Sequence, residues 1–189
     1  MKKVCLIIIK IIIIILLLLF CINRFLIINV HVPTSSMENT IMVDDKLIGS
    51  RISYIMGDIE RFDMVVAREP FDKDKLIVKR IVGLPGEKVE IKNGNIYIND
   101  SETPLFENFI KDKWVEDNDG YLYKIPKNHY LLLGDNRNNS FDARFWAEKA
   151  RKKDILDWEK YSYIDKKDIV AKIVLRYYHN FELFRKSDY

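Results

Sequence analysis

From Val4 to Ile28 the chain is a nearly continuous run of Ile, Leu, Val and Phe, broken by Lys10 and by Asn23-Arg24. A helix rising ~1.5 Å per residue over such a run is long enough for the ~30 Å hydrocarbon core of a bilayer. The run therefore reads as one membrane-spanning anchor rather than a core helix. A cleaved leader would end in small residues, and the exit Cys21-Ile22-Asn23-Arg24-Phe25 offers no Ala-x-Ala site. Lys2, Lys3 and the snorkelling Lys10 favour a cytoplasmic N-terminus, with the remainder outside, although Arg24 lies on the far flank. The expected organisation is an anchor over residues 1–30 and one extracytoplasmic domain over residues 31–189, at the cell membrane in a single pass.

Charge divides along the same boundary. The chain of 189 residues has 31 Lys and Arg against 28 Asp and Glu, and four of those cations precede the first acid, Glu38. That leaves 27 cations against 28 acids in the outer domain. A domain so balanced lacks the concentrated basic surface that phosphate backbones require, so nucleic acid is not an expected partner. Both cysteines, Cys5 and Cys21, fall in the apolar run. They are ~24 Å apart along a helix, too far to pair, and the outer domain needs no disulfide framework.

The outer domain reads as mainly β. Short segments rich in β-branched and aromatic residues cover Lys46–Ile52, Met64–Arg68, Leu76–Val82, Lys88–Ile91, Asn95–Ile98, Tyr130–Leu133 and Ile169–Tyr177. Asn93-Gly94 between two of them is a hairpin signal, because both residues tolerate positive φ. The polar, aromatic, weakly periodic stretch of about 99–127 reads as a cap-like insertion. The charged stretch from Trp146 onward, with its insertion at about 147–160, reads as a solvated surface helix.

Chemistry enters at Lys79. In a strand Lys79 shares a face with Ile77 and Ile81, and Arg80 points the other way with Val78 and Val82. A lysine facing an apolar interior loses part of its proton affinity, because burial disfavours the charged form, and it then becomes a general base. The hydroxyl-rich Pro33-Thr34-Ser35-Ser36-Met37, just beyond the anchor, supplies a nucleophile for such a base. Taken alone, each segment is equally an ordinary strand-edge lysine or an ordinary turn.

Together these segments resemble the bacterial type I signal peptidases, membrane-bound Ser-Lys proteases with a β-sheet fold that remove signal peptides from exported proteins. Residues 33–37 resemble the family's nucleophile box, and Gly57-Asp58 through Asp63-Met64-Val65-Val66 the strand after it. Val78-Lys79-Arg80-Ile81-Val82-Gly83-Leu84-Pro85-Gly86-Glu87 resembles the lysine box, and residues 134–144, from Gly134-Asp135-Asn136 to Asp142-Ala143-Arg144, the final box. The resemblance implies Ser36 as the acylated nucleophile, Lys79 as its base, and the Ser36 N–H with the Thr34 hydroxyl as the oxyanion hole. It implies that Ser140 hydrogen-bonds the lysine amine above an Asp142–Arg144 ion pair, and that Val32 and Val78 wall two shallow pockets for small residues in an Ala-x-Ala pattern. Implied partners are signal-peptide-bearing pre-proteins, membrane lipid and the neighbouring secretion translocase. No metal or cofactor is implied.

The chain departs from the pattern at Glu38-Asn39-Thr40, where proline and threonine are usual, at Asn138 for aspartate, at Ala143 for serine and at Ala171 for glycine. Three other readings stand beside it. They are a related Ser-Lys protease with another target, a Ser-His-Asp hydrolase using His31, His129 or His179, and a noncatalytic anchored binding protein on the same fold.

Overall fold

The computed structural model describes residues 2–185. Met1 and residues 186–189, the ends of the expected anchor and outer domain, lie outside the described residues, as does the Lys2 side chain. The apolar run forms α1 (Lys2–Cys21) and continues through a π-helical turn, Ile22–Leu26. Residues Lys3–Leu26 are long and apolar enough to cross a membrane, and none of that span packs inside the protein. The helix stops earlier than its composition suggested. Ile27 is extended (φ −124°, ψ 161°), and Ile27–His31 is strand β1. Apolar β-branched residues satisfy a membrane helix and a sheet edge equally, so hydropathy alone did not mark the change.

The remaining elements are β2 (Lys46–Ser50), the single turn α2 (Ser53–Met56), β3 (Met64–Arg68), β4 (Leu76–Gly83), β5 (Lys88–Lys92), β6 (Asn95–Ile98), β7 (Tyr121–Lys124), β8 (His129–Leu133), α3 (Ala143–Lys152), β9 (Ile164–Asp165), β10 (Ile169–Arg176) and β11 (Glu182–Leu183). Two antiparallel sheets result. The larger runs β1-β2-β10-β3-β4-β8-β9 with β11 beside β10, and the smaller runs β6-β5-β7. The mainly antiparallel β architecture matches the expectation. Asn93 (φ 51°) and Gly94 (φ 73°) make the β5–β6 turn with both residues in the left-handed region.

β3 lies between two cores, and its alternation serves both. Val65 and Ala67 join a cluster with Ile81, Leu132 and Trp146, whereas Met64 and Val66 join Met37, Ile41, Leu47 and Ile173. Lys79 is opposite Val65 in the β3–β4 register, and Arg80 is opposite Met64, so the two cations go to different faces. The expected alternation fails at Val82. A register irregularity between Ile81 and Gly83 turns Val82 into the same core as Ile81.

Two stretches differ from their sequence reading. The cap-like stretch contains β7, which completes the small sheet against β5. Only four residues long and following a long irregular segment, it gave no periodic signal. The charged helix starts earlier, at Ala143, capped by Asp142, and ends at Lys152. It is no solvated surface element, because Ala143, Trp146 and Ala150 are all 1% exposed or less.

Gly49 sits where three strands meet. A Cβ there would lie 2.7 Å from Ile28 Cγ2 and 3.1 Å from the Ala171 methyl, so the glycine makes room for both side chains. Gly49→Val should destabilise the fold by ~1–3 kcal/mol through overpacking. Denaturant unfolding measures this, and an unchanged midpoint would contradict the close approach.

Candidate active site

Ser36 is in a turn-rich segment between β1 and β2 that the final box holds from behind. The Asn136 N–H donates to Ser36 O (3.1 Å), Asn136 Nδ2 to Ser35 O (3.0 Å) and Asn139 Nδ2 to Ser35 Oγ (2.8 Å). Gly134 is indispensable to this clamp. A Cβ there would fall 2.4 Å from Ser36 O and 2.3 Å from Ser140 Oγ. Sequence reasoning assigned no role to Gly134, Asn136 or Asn139. Their only signal was membership in a box that also contained the named residues.

Lys79 Nζ donates to Ser36 Oγ at 2.7 Å and to Val78 O at 3.1 Å. Burial lowers the Lys79 pKa from 10.5 to about 8, against the opposing pull of the Asp142 and Asp135 charges. Thr34 Oγ1 is 3.4 Å from Ser36 Oγ. Among the described residues the Ser36 N–H donates to no protein acceptor.

Both neighbouring acids are already committed to arginines. Arg80 Nε and Nη2 reach the two Asp135 oxygens at 2.8 and 2.6 Å, with both side chains fully buried. Thr40 Oγ1 donates to Asp135 Oδ2 (2.6 Å), and the Arg80 guanidinium stacks 3.9 Å from the Phe109 ring centre. Thr40 thus joins the nucleophile segment to the loop that carries Asp135. Asp142 receives Arg144 Nε at 2.8 Å, Arg144 Nη2 at 2.9 Å and the Gly134 N–H at 3.0 Å. Burial works against the Asp142 charge, but these donors outweigh it and hold the carboxyl below the usual range.

Ser140 differs from expectation. Its Oγ is buried and makes no hydrogen bond to the Lys79 amine; it lies instead close enough to the Asp142 carboxylate to help hold that group charged. It packs against Gly134, while the amine is directed to Ser36 and Val78 O. Val32 and Val78 do come together, in a cleft of about 210 Å³ that also includes Thr34, Ser36, Phe141 and Trp146. The sequence reading had not singled out Phe141 or Trp146. β8 pairs with β4 only from Arg80 onward, so one edge of Leu76–Val78 is unpaired beside the cleft.

The histidines are engaged elsewhere. His31 Nε2 is 3.0 Å from Asp44 Oδ1, His179 Nδ1 is 3.0 Å from Asp45 Oδ1, and His129 contacts Lys127 O. None of them bonds Ser36. Among the described residues no three His, Cys, Asp or Glu side chains group as metal ligands.

Residues 5–178 match the family model described as signal peptidase, peptidase S26. A probable signal peptidase I-2 of Synechocystis is 38% identical over 132 residues, covering 65% of this chain and 57% of the relative. An inactive signal peptidase IA of Staphylococcus aureus is 27% identical over 184 residues, covering 94% of each chain. The crystal structure of a signal peptidase I from Enterococcus faecalis covers 61% of this chain and 96% of its own, at 22% identity and a TM-score of 0.44. With the family match running from the apolar helix to just past β10, the chain belongs to the signal peptidases of peptidase family S26.

Proposed function

We propose that the protein is an active serine endopeptidase that removes signal peptides from exported pre-proteins, with Ser36 as nucleophile and Lys79 as general base. One observation carries the reading: a lysine amine, shielded from water and with its pKa lowered to about 8, sits 2.7 Å from a serine hydroxyl. At pH 7 roughly a tenth of such amines are neutral, against fewer than about one in a thousand for a free lysine. In the neutral state the same short contact runs from hydroxyl to amine.

In the first half-reaction the Ser36 Oγ proton passes to Lys79 Nζ as Oγ bonds to the scissile carbonyl carbon. The oxyanion falls between the Ser36 N–H and the Thr34 hydroxyl. The C–N bond breaks as Lys79 returns the proton to the leaving amine, and the signal peptide remains as an ester on Ser36. Lys79 then takes a proton from water, the hydroxide attacks the ester carbonyl, and the proton returns to Ser36 Oγ as the acid departs.

The substrate would lie extended along the open Leu76–Val78 edge, with main-chain hydrogen bonds fixing its register. Val32 and Val78 would then admit only small side chains, giving Ala-x-Ala selectivity. The Asp142–Arg144 pair and Ser140 act as supports that shape the lysine's surroundings. α1 would hold this cleft at the outer membrane face, near emerging pre-proteins, lipid and the translocase, with the N-terminus cytoplasmic. The inactive relative makes a noncatalytic role the second reading. The Ser36 hydroxyl and the buried Lys79 amine within hydrogen-bonding distance favour catalysis here.

Three outcomes test this. Ser36→Ala and Lys79→Ala should each abolish cleavage of a signal-bearing precursor, read by product mass, while near-wild-type activity in either would eliminate the dyad. The precursor kcat/KM should rise with pH and level off above an inflection near 8, because the base works only when deprotonated. Folding stability should also rise between about pH 8 and 9.5, by at most ~2 kcal/mol, because over that window the unfolded lysine keeps a proton that the folded one has shed. Lys79→Met should lack that rise in pH-resolved denaturant melts.

A further inference from the structure

On the far side of α3 from the Ser36 cleft, a groove of about 750 Å³ opens between β7, α3 and residues 158–163. Two lining side chains carry buried polar atoms without partners. Arg144 uses Nε and Nη2 on Asp142 and Arg137 O, which leaves both Nη1 hydrogens without an acceptor. The Tyr123 hydroxyl is likewise buried and unpartnered. Arg144 is 3% exposed and Tyr123 6%. Trp114 and Phe145 lie 5.2 Å from the guanidinium carbon, but ring faces offer no lone pair. Native structures rarely leave buried donors unpaired, because each has given up water for nothing.

The walls define what would meet these donors. Tyr121 and Tyr123 are stacked at 6.1 Å between ring centres, and Tyr163 meets Tyr123 edge-on at 6.3 Å. Lys124, Arg151 and Lys160 stand at the rim, against Glu148 and Glu159. Glu148 is itself paired with Lys152 at 2.6 Å. Guanidinium nitrogens can only donate, and a tyrosine hydroxyl beside one can donate to the same acceptor. The volume is in the range of small-molecule sites.

We propose that this groove is a second binding site, separate from the Ser36 cleft, for a small ligand that joins an oxyacid group, carboxylate or phosphate, to an aromatic or short apolar body. The oxyacid sits against Arg144 Nη1 and Tyr123 OH, and the body lies on the tyrosine faces. The site does not depend on Lys79 chemistry.

Calorimetric titration of the full-length protein in nonionic detergent tests it, with benzoate, phenyl phosphate and neutral benzamide as probes. At least one anion should bind saturably, one per chain and at least tenfold more tightly than benzamide. Tighter benzoate binding would identify a carboxylate site and tighter phenyl phosphate binding a phosphate site. Tyr123→Phe should weaken binding at least fivefold without lowering the melting temperature, since the lost hydroxyl has no partner in the fold. Lys124→Glu, at the exposed rim, should weaken it in the same direction. Equal affinity for benzamide, no binding of either anion, or unchanged affinity in Tyr123→Phe would overturn the proposal. So would loss of binding in Ser36→Ala, which would move the ligand to the other cleft.

Discussion

A cation removed from water is unstable unless a counter-charge meets it or it sheds its proton, and the site is organised around giving two adjacent cations different solutions. The β3–β4 register sends Arg80 to one core, where Asp135 accepts it in a bidentate pair, and Lys79 to the other, where no carboxylate bonds it. A guanidinium cannot deprotonate near neutrality, so it must take the acid. The amine can, so burial lowers its pKa instead. The two arginines also restrain Asp135 and Asp142, whose charges would otherwise pull Lys79 back toward the ammonium form. Replacing either arginine by a neutral residue would therefore act on the lysine across the core, without touching it.

The same division explains why the loop of residues 134–140 is so constrained. Asp135 within it and Asp142 just after it face the arginines, and its backbone and two asparagines grip Ser35 and Ser36 from the opposite side. Gly134 is the point at which these demands meet, because the Gly134 N–H feeds Asp142 while its missing side chain admits Ser36 O and Ser140 Oγ. Asn138 serves a related purpose. Its Oδ1 accepts the Val115 and Glu116 N–H groups, and its Nδ2 donates to Lys113 O. An aspartate at 138 could accept those two hydrogens but could not make the third bond, so the amide suits the loop of residues 113–116.

Much of the sheet was legible because its strands are short, β-branched and alternating. Met64–Arg68 and Asn95–Ile98 match their sequence bounds, and the Asn93-Gly94 turn announces itself through residues that tolerate positive φ. β1 was lost inside a run that hydropathy assigns to the membrane, and β7 was too short to show a period. α3 looked like a surface helix because its charges are conspicuous. Its buried face rests on Ala143, Trp146, Ala147 and Ala150, and alanines carry little hydropathic signal. In the site, Lys79 and Ser36 stood out as individual residues. The contacts that hold them depend on the Asn136 backbone amide, on two asparagine side chains that read as ordinary loop residues, and on the absent Cβ of Gly134, so they leave no periodic pattern to read. The missing Ser140–Lys79 bond marks the limit of carrying a role over by position, because a neighbour's packing decides where a hydroxyl points.

The early end of the membrane helix changes the physical meaning of the tether. If residues from Ile28 to Ser36 formed a free linker, the serine could sample any height up to ~29 Å above the anchor. Instead Ile27–His31 is hydrogen-bonded to β2 along its whole length, and the Arg51 N–H grips Leu26 O at 2.8 Å. Val32 continues this path by donating to Asp45 O at 3.1 Å, and the chain then turns at Pro33 into the Ser36 segment. The apolar helix is thus joined to the cleft by a paired strand of ~17 Å rather than by a flexible spacer. A paired strand cannot shorten without breaking its ladder, so the distance of Ser36 from the end of the helix is set by sheet register. The same β2 strand pairs with β10 and so locks that register to the core carrying Lys79. The β1 strand, the open β4 edge and the serine are consequently held in one sheet framework, which fixes where the cleft lies relative to the point at which the apolar helix ends.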